Sequence, residues 1–297
     1  MEAGVNYFLK RYAQFGEKVP ANIALKQTIR VNTLRMAEEA VVQRLESLGV
    51  KLSKIDWLKH GYTVDYSKFS LGAAVEALLG YYYVQEAAAQ VPVEVLDPQP
   101  GELVLDCCAA PGGKTTQIAQ TMWNKGAVVA LEKKDHRLIS LRSNLERCGV
   151  TNTMVYHMDA VKAGKLGLQF DKILLDAPCS GNFVGDARWF EKRTMPDILK
   201  SQQFQRGILK AVLDVLKPGG TLVYSTCSLE PEENEMNMHW LAENFPVQLE
   251  STGLKVGDPG LTTFLGKALH KDVAKCRRFW PHKTQTEGFF VAKVVKQ

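Results

Sequence analysis

Two cysteines close apolar runs in this sequence: Cys179 in LLDAPCSG (174–181) and Cys227 in YSTCS (224–228). An ionised thiol is a strong nucleophile, whereas a lone cysteine usually serves as a small core hydrophobe. Two of them at the ends of neighbouring strand patterns call for a shared chemical task. A third segment, LDCCAAPGGKTT (105–116), puts a glycine turn between a strand pattern and a helix pattern, where open α/β sheets bind ligands. The turn is not a P-loop, because G-x-x-x-x-G-K-T needs glycine where Cys108 stands, and G-x-G-x-x-G is absent too.

What remains is a turn of small residues that lets backbone approach a ligand, with a helix N-terminus behind it. Glu132 ends the next strand pattern, AVVALE, placed to accept hydrogen bonds from ribose hydroxyls. Asp159 ends the following one, TMVYHMD, where a carboxylate could take an adenine amine. Ribose and adenine contacts without a phosphate cradle point to S-adenosylmethionine. The chemistry that needs a thiol beside that methyl donor is C5 methylation of a pyrimidine. C5 of cytosine is too poor a nucleophile to take the methyl group directly. A thiolate adding to C6 makes C5 enamine-like; a base then removes the C5 proton and the thiol leaves.

These residues need a scaffold, and the sequence predicts one. From residue 102, strand and helix patterns alternate: ELVLDC, KTTQIAQTMW, AVVALE, HRLISLRSNLERCG, TMVYHMD, DKILLDAP, a long helix over about 196–216, then TLVYST. This is the order of a doubly wound, Rossmann-like α/β sheet. EGFFVAKVVK predicts a last strand, joining antiparallel. Ahead of it, TIRVNTL, MAEEAVVQRLESLG, VKLSKIDWL and YTVDY predict a small β-α-β-β unit. The expected organisation is an N-terminal α+β domain over 1–72 and a catalytic domain over 73–297.

The chain has 297 residues, 45% hydrophobic and 23% charged, enough for a sizeable core. With no run of 18 apolar residues and no signal-peptide pattern, the expectation is a cytosolic protein without a membrane partner. Its six cysteines show no C-x-x-C pair and no zinc-like histidine spacing, so no metal is expected. The net charge of +5 is uneven: residues 1–72 hold 11 Lys/Arg against 7 Asp/Glu, and residues 255–297 hold 9 against 3. Basic ends around an acidic centre suit a polyanion such as nucleic acid, with Lys275, Arg277 and Arg278 as candidate phosphate contacts.

CAAPGGKTT, LLDAPCSG and YSTCSLEPEENE, with RVNTL before them and FWPHKTQTEGFFVAKV after, resemble the motif set of RNA cytosine-C5 methyltransferases of the Nol1/Nop2/Sun family. The resemblance runs in order over nearly the whole chain. It implies a class I S-adenosylmethionine-dependent methyltransferase fold with a small RNA-contacting domain. By that resemblance Cys227 is the nucleophile and Cys179 assists product release. Asp176 holds the cytosine edge, and Lys114 helps to fix the base. Cys108, Ala109, Ala110, Pro111, Gly112, Gly113, Lys114, Glu132, Arg137, Asp159 and Asp176 fall at the family's cofactor-contacting positions. GNFVGDARWFEKR (181–193) departs from the family by lacking an R-R-N-P-D run. The compact length favours tRNA over rRNA as substrate and a monomer as the working form. Two rivals stand beside this reading: a DNA cytosine methyltransferase, and a noncatalytic RNA-binding or remodelling factor that keeps the fold.

Overall fold

The computed structural model describes residues 3–297, so the first two residues of the expected N-terminal unit lie outside the described residues. Its first sheet has four strands: β1 (Thr28–Val31), β2 (Lys51–Lys54), β3 (Gly61–Tyr66) and β4 (Tyr82–Val84), in the order β2-β3-β1-β4. The helix Glu38–Ser47 covers it. Val41 and Leu45, four residues apart, bury one stripe of that helix against Ile29 and Val31. Two acids in its first turn and Arg44 in its last complement the helix dipole, and Gly49 at φ +83° ends it. β4 pairs antiparallel with β1, so this sheet draws a strand from beyond residue 72.

The helix Ala87–Leu96 follows β4 directly and is buried along nearly its whole length. Ile55 and Leu58 of the small unit join Ala88, Val91 and Val95 of this helix in one apolar cluster. The same cluster takes in Val104, Leu174 and Val223 of the larger sheet. The two units therefore share a core.

The larger sheet has nine strands. β5 (Leu103–Asp106), β6 (Ala127–Glu132), β7 (Thr153–His157), β8 (Phe170–Asp176) and β9 (Leu216–Thr226) run parallel in the order β9-β8-β5-β6-β7. Their near-continuous apolar sequences fit strands covered on both faces, and the helices Gly113–Thr121, Asp135–Cys148 and Met195–Asp214 connect them. β10 (Val247–Glu250), β11 (Asp258–Pro259), β14 (Arg277–Phe279) and β15 (Phe289–Lys296) extend the sheet antiparallel, β15 lying against β9 as expected. β12 (Thr263–Phe264) and β13 (Lys267–Ala268) form a separate hairpin. After β7 the chain crosses back to β8 on the other side of β5, which opens a crevice at the carboxyl ends of β5 and β8.

The basic C-terminal segment corrects one expectation. Arg278 has no solvent exposure; its Nε donates to Glu235 Oε1 at 2.9 Å and its NH1 to the Leu229 carbonyl at 2.6 Å. Arg277 donates to the carbonyls of Leu254 at 3.3 Å and Cys276 at 3.1 Å, and Lys275 Nζ to that of Leu249 at 2.9 Å. Arg278 therefore holds the end of the chain in place rather than facing a phosphate, whereas Lys275 and Arg277, tied to these carbonyls, stay partly exposed. Arg278→Ala would leave Glu235 buried and unpaired, so a loss of about 3–5 kcal/mol is expected. Urea unfolding would measure it, and a midpoint within error of wild type would refute the assignment.

Candidate active site

The glycine turn sits at the mouth of the crevice. Cys107 N donates to the Leu174 carbonyl at 3.0 Å and Ala109 N to that of Leu131 at 2.9 Å, tying the turn to both neighbouring strands. Gly112 has φ +110°, a conformation that side-chain-bearing residues rarely adopt, and a Cβ there would crowd Leu141 Cδ1 at 3.2 Å. Asn144 Nδ2 donates to the Pro111 carbonyl at 2.9 Å, and an Arg137 NH group donates to that of Ala110. Behind the turn Thr115 Oγ1 donates to Asp106 Oδ2 at 2.7 Å. Burial pushes that carboxyl up to about 6.

One side of the turn borders a cleft of about 300 Å³ lined by Cys108, Glu132, Arg137, Asp159, Met158, Phe204 and Ile208, among others. Glu132 is 4% exposed; its Oε1 accepts the Lys134 amide at 2.7 Å, and Arg137 NH1 lies 3.4 Å from its Oε2. Asp159 stands two residues past β7 rather than on it, and Lys133 Nζ lies 2.7 Å from its Oδ2. A buried carboxylate, small turn residues and an apolar floor suit a nucleoside, with Lys133, Lys134 and Arg137 on the same rim. Among the described residues no group of three or more His, Cys, Asp or Glu could hold a metal ion.

A second pocket of about 200 Å³ lies across the same turn and adds Lys114, Asp176 and, from the small unit, Tyr83 and Gln85. Asp176 is held on two sides: Lys114 Nζ donates to Oδ2 at 2.8 Å and Ser225 Oγ to Oδ1 at 2.8 Å. Burial works to lower the Lys114 pKa, but the charge and hydrogen bond of Asp176, with the Cys227 and Asp106 charges, together outweigh it and keep the ammonium above its ordinary value.

Cys179 and Cys227 leave β8 and β9 side by side, with their sulfurs 3.2 Å apart and both thiols free. The hydrogen bond with Cys227, then burial, then the Cys227 and Glu233 charges hold the Cys179 pKa well above the usual thiol range. Burial raises Cys107, Cys108, Cys148 and Cys276 as well, and none of these has a second thiol bonded to it across a strand exit. The turn residues, Lys114, Glu132, Arg137, Asp159 and Asp176 thus gather around the two pockets and the two thiols meet at their strand exits, whereas Lys275, Arg277 and Arg278 line neither pocket. The structure also adds some the sequence left unmarked.

Arg30, in RVNTL, is 1% exposed. It donates to Gly113 O at 2.6 Å, Thr116 Oγ1 at 2.8 Å, Gln85 Oε1 at 2.6 Å and Gln120 Oε1 at 3.1 Å. It clamps the small sheet to the helix that opens the glycine turn. Burial lowers its pKa to about 10, still well above neutrality.

Residues 93–295 match the family described as 16S rRNA methyltransferase RsmB/F, and residues 6–87 match the N-terminal domain of 16S rRNA methyltransferase RsmF. The chain belongs to the RsmB/F methyltransferase family. The boundary between the two RsmB/F matches falls inside the shared helix Ala87–Leu96. The human 28S rRNA (cytosine(4447)-C(5))-methyltransferase is 40% identical over 276 residues, 91% of this chain and 34% of its own length. The tRNA (cytosine(72)-C(5))-methyltransferase of Pyrococcus horikoshii is 41% identical over 217 residues, 73% of this chain and 53% of its own. This chain thus spans about a third to a half of the length of these curated relatives. Among solved structures, a methyltransferase homolog protein from Pyrococcus horikoshii is 43% identical with a TM-score of 0.86, covering 93% of this chain and 88% of that one. NSun6 from the same organism, with SFG, has a TM-score of 0.82 at 29% identity over 93% and 92% of the two chains. The RsmB/F fold is the Rossmann-like class I methyltransferase sheet with its N-terminal α+β domain, and its methyl donor is S-adenosylmethionine.

Proposed function

We propose that this protein methylates C5 of a cytosine in RNA through a covalent bond between Cys227 and C6. The observation that carries the reading is the pair of free thiols 3.2 Å apart at adjacent strand exits. Names of relatives that specify cytosine C5 in rRNA and tRNA support it. The narrower substrate choice is tRNA; the Pyrococcus tRNA relative is similar in identity to the human rRNA one, 41% against 40%, though over 217 residues rather than 276.

When bound, S-adenosylmethionine would supply an electrophilic methyl group, and Glu132 and Asp159 would hold its ribose and its adenine. Asp176 and Lys114 hold the polar edge of the cytosine, where electron density gathers once Cys227 Sγ has added to C6. C5 then takes the methyl group. A base takes the C5 proton, the C–H electron pair forms the C5–C6 double bond again, and the S–C6 bond breaks with its pair leaving on Cys227 Sγ. Cys179 lies against the departing sulfur and, kept protonated, can hand it a proton.

Bisulfite sequencing of total RNA from cells with and without the gene tests the reading and names the target. A noncatalytic factor would leave the two maps identical, and a rRNA site would overturn the tRNA choice. Glu132→Ala should weaken S-adenosylmethionine binding by about 1.5–3 kcal/mol, the scale of a hydrogen bond to a charged group. Calorimetry showing wild-type affinity would remove Glu132 as the ribose ligand.

A further inference from the structure

The acidic run after Cys227 is interior. Glu230, Glu233, Asn234 and Glu235 have no solvent exposure, and Glu232 has 4%. Three of these carboxylates have cationic partners: Glu230 and Glu232 bind Arg11, and Glu235 binds Arg278. Glu233 and Asn234 instead bond residues that flank the two thiols.

Glu233 Oε1 accepts the Ser180 amide at 3.0 Å, and its Oε2 accepts Ser180 Oγ at 2.5 Å. Gln205 Nε2 donates both to Glu233 Oε1 at 2.9 Å and to the Pro178 carbonyl at 3.0 Å. The backbone is gripped on each side of Cys179. Asn234 Oδ1 accepts Thr226 Oγ1 at 2.6 Å, and its Nδ2 donates to the Ser228 carbonyl at 2.8 Å. That grips each side of Cys227. The turn carrying both residues is itself fastened, since Tyr224 Oη and Asn237 Nδ2 donate to the Glu233 carbonyl at 2.5 and 3.0 Å. Asn182 closes the frame by donating from the Cys179 loop to the Cys227 carbonyl at 2.9 Å.

We propose that Glu233 and Asn234 are positioning residues: as chain neighbours they tie the two strand exits to one rigid turn and so fix the spacing of the thiols. Glu233 positions Cys179 and Asn234 positions Cys227. Attack and release need the two sulfurs within reach of one ring carbon, and a shift of an ångström can cost a hundredfold in rate. The roles of the thiols rest on the proposed function; the positioning can be read without RNA.

The test uses the full chain with Glu233→Gln and Asn234→Asp, both nearly isosteric. Asn234→Asp loses the donor to Ser228, and Glu233→Gln loses the charge beside Cys179. Iodoacetamide alkylation followed by mass spectrometry gives the pH profile of each thiol. Removing the Glu233 charge removes one cause that raises the Cys179 pKa, so its profile should move to lower pH while that of Cys148 stays put. With RNA, both variants should lose at least about tenfold in kcat, with KM within about twofold of wild type. Glu233→Gln should accumulate a protein–RNA adduct, and Asn234→Asp should form less of it. Unmoved alkylation profiles, or equal losses in both variants that follow the melting temperature without any difference in adduct, would overturn the proposal. If the wild-type protein methylates no RNA, the proposed function fails, and the alkylation profiles decide the positioning, that of Cys179 in Glu233→Gln and that of Cys227 in Asn234→Asp.

Discussion

Cys227→Ala should abolish methyl transfer while S-adenosylmethionine binds as before. The substitution removes one sulfur from a half-buried position, and the bonds that hold that position use backbone or neighbours: Asn182 to the Cys227 carbonyl, Asn234 to Thr226 and Ser228. The local frame therefore survives. The cleft around Glu132 does not include Cys227, so cofactor affinity should stay within about twofold. What disappears is the only group proposed to raise electron density at C5, and a lost nucleophile costs on the order of 10⁴-fold or more, about 5.5 kcal/mol. Single-turnover transfer of a radiolabelled methyl group, with calorimetry for the cofactor, measures both halves. A variant that kept a tenth of the wild-type rate, a loss of about 1.4 kcal/mol, would end the assignment.

Cys179→Ala should fail differently. The bond to C6 forms normally, but no thiol stands beside the departing sulfur. Cys179 is held protonated by its bond to Cys227, by burial and by the Cys227 and Glu233 charges. A neutral thiol is a proton donor, and alanine cannot replace it. The enzyme should remain attached to its own substrate, seen as a slow-migrating protein–RNA band on a denaturing gel without any azacytosine analogue. Turnover should fall by a factor comparable to that of Cys227→Ala. The double variant should show no band. A band from Cys227→Ala and none from Cys179→Ala would exchange the two roles and point to DNA-type chemistry. Two active single variants without adduct would make both thiols packing residues.

The sheet, the glycine turn and the paired thiols were legible because each is written locally. Apolar runs such as AVVALE and DKILLDAP announce β6 and β8, and a strand exit fixes where the next residues emerge. The pairing of β4 with β1 was not legible, since Tyr82–Val84 is too short to declare its partner. The buried charges were misjudged for a related reason. Arg278 reads as surface until Glu235, 43 residues away, is seen to bind it, and Arg11 meets Glu230 across 219 residues. One local signal was present: FLKRYAQF and CRRFW each set arginine among large apolar residues, a setting that favours an interior partner. EPEENE looks like a solvated stretch for the same reason. Pair partners this far apart leave no period in the chain.

If RNA is the substrate, as proposed, the join between the two units sets the terms on which it is met. Arg30 reaches from β1 into the first turns of the helix Gly113–Thr121, and the helix Ala87–Leu96 is core to both sheets. Hinging at that joint would strip a buried guanidinium of its acceptors and open an apolar cluster to water, so the aperture facing RNA is cast before RNA arrives. The mechanical work of the encounter then falls on the nucleic acid. On the proposed function a cytosine would have to leave its stack to reach Cys227, at a cost of a few kcal/mol that is smallest for an unpaired or poorly stacked base. An inflexible mould selects by how readily its guest deforms, and a loop or junction cytosine yields where a helical one resists.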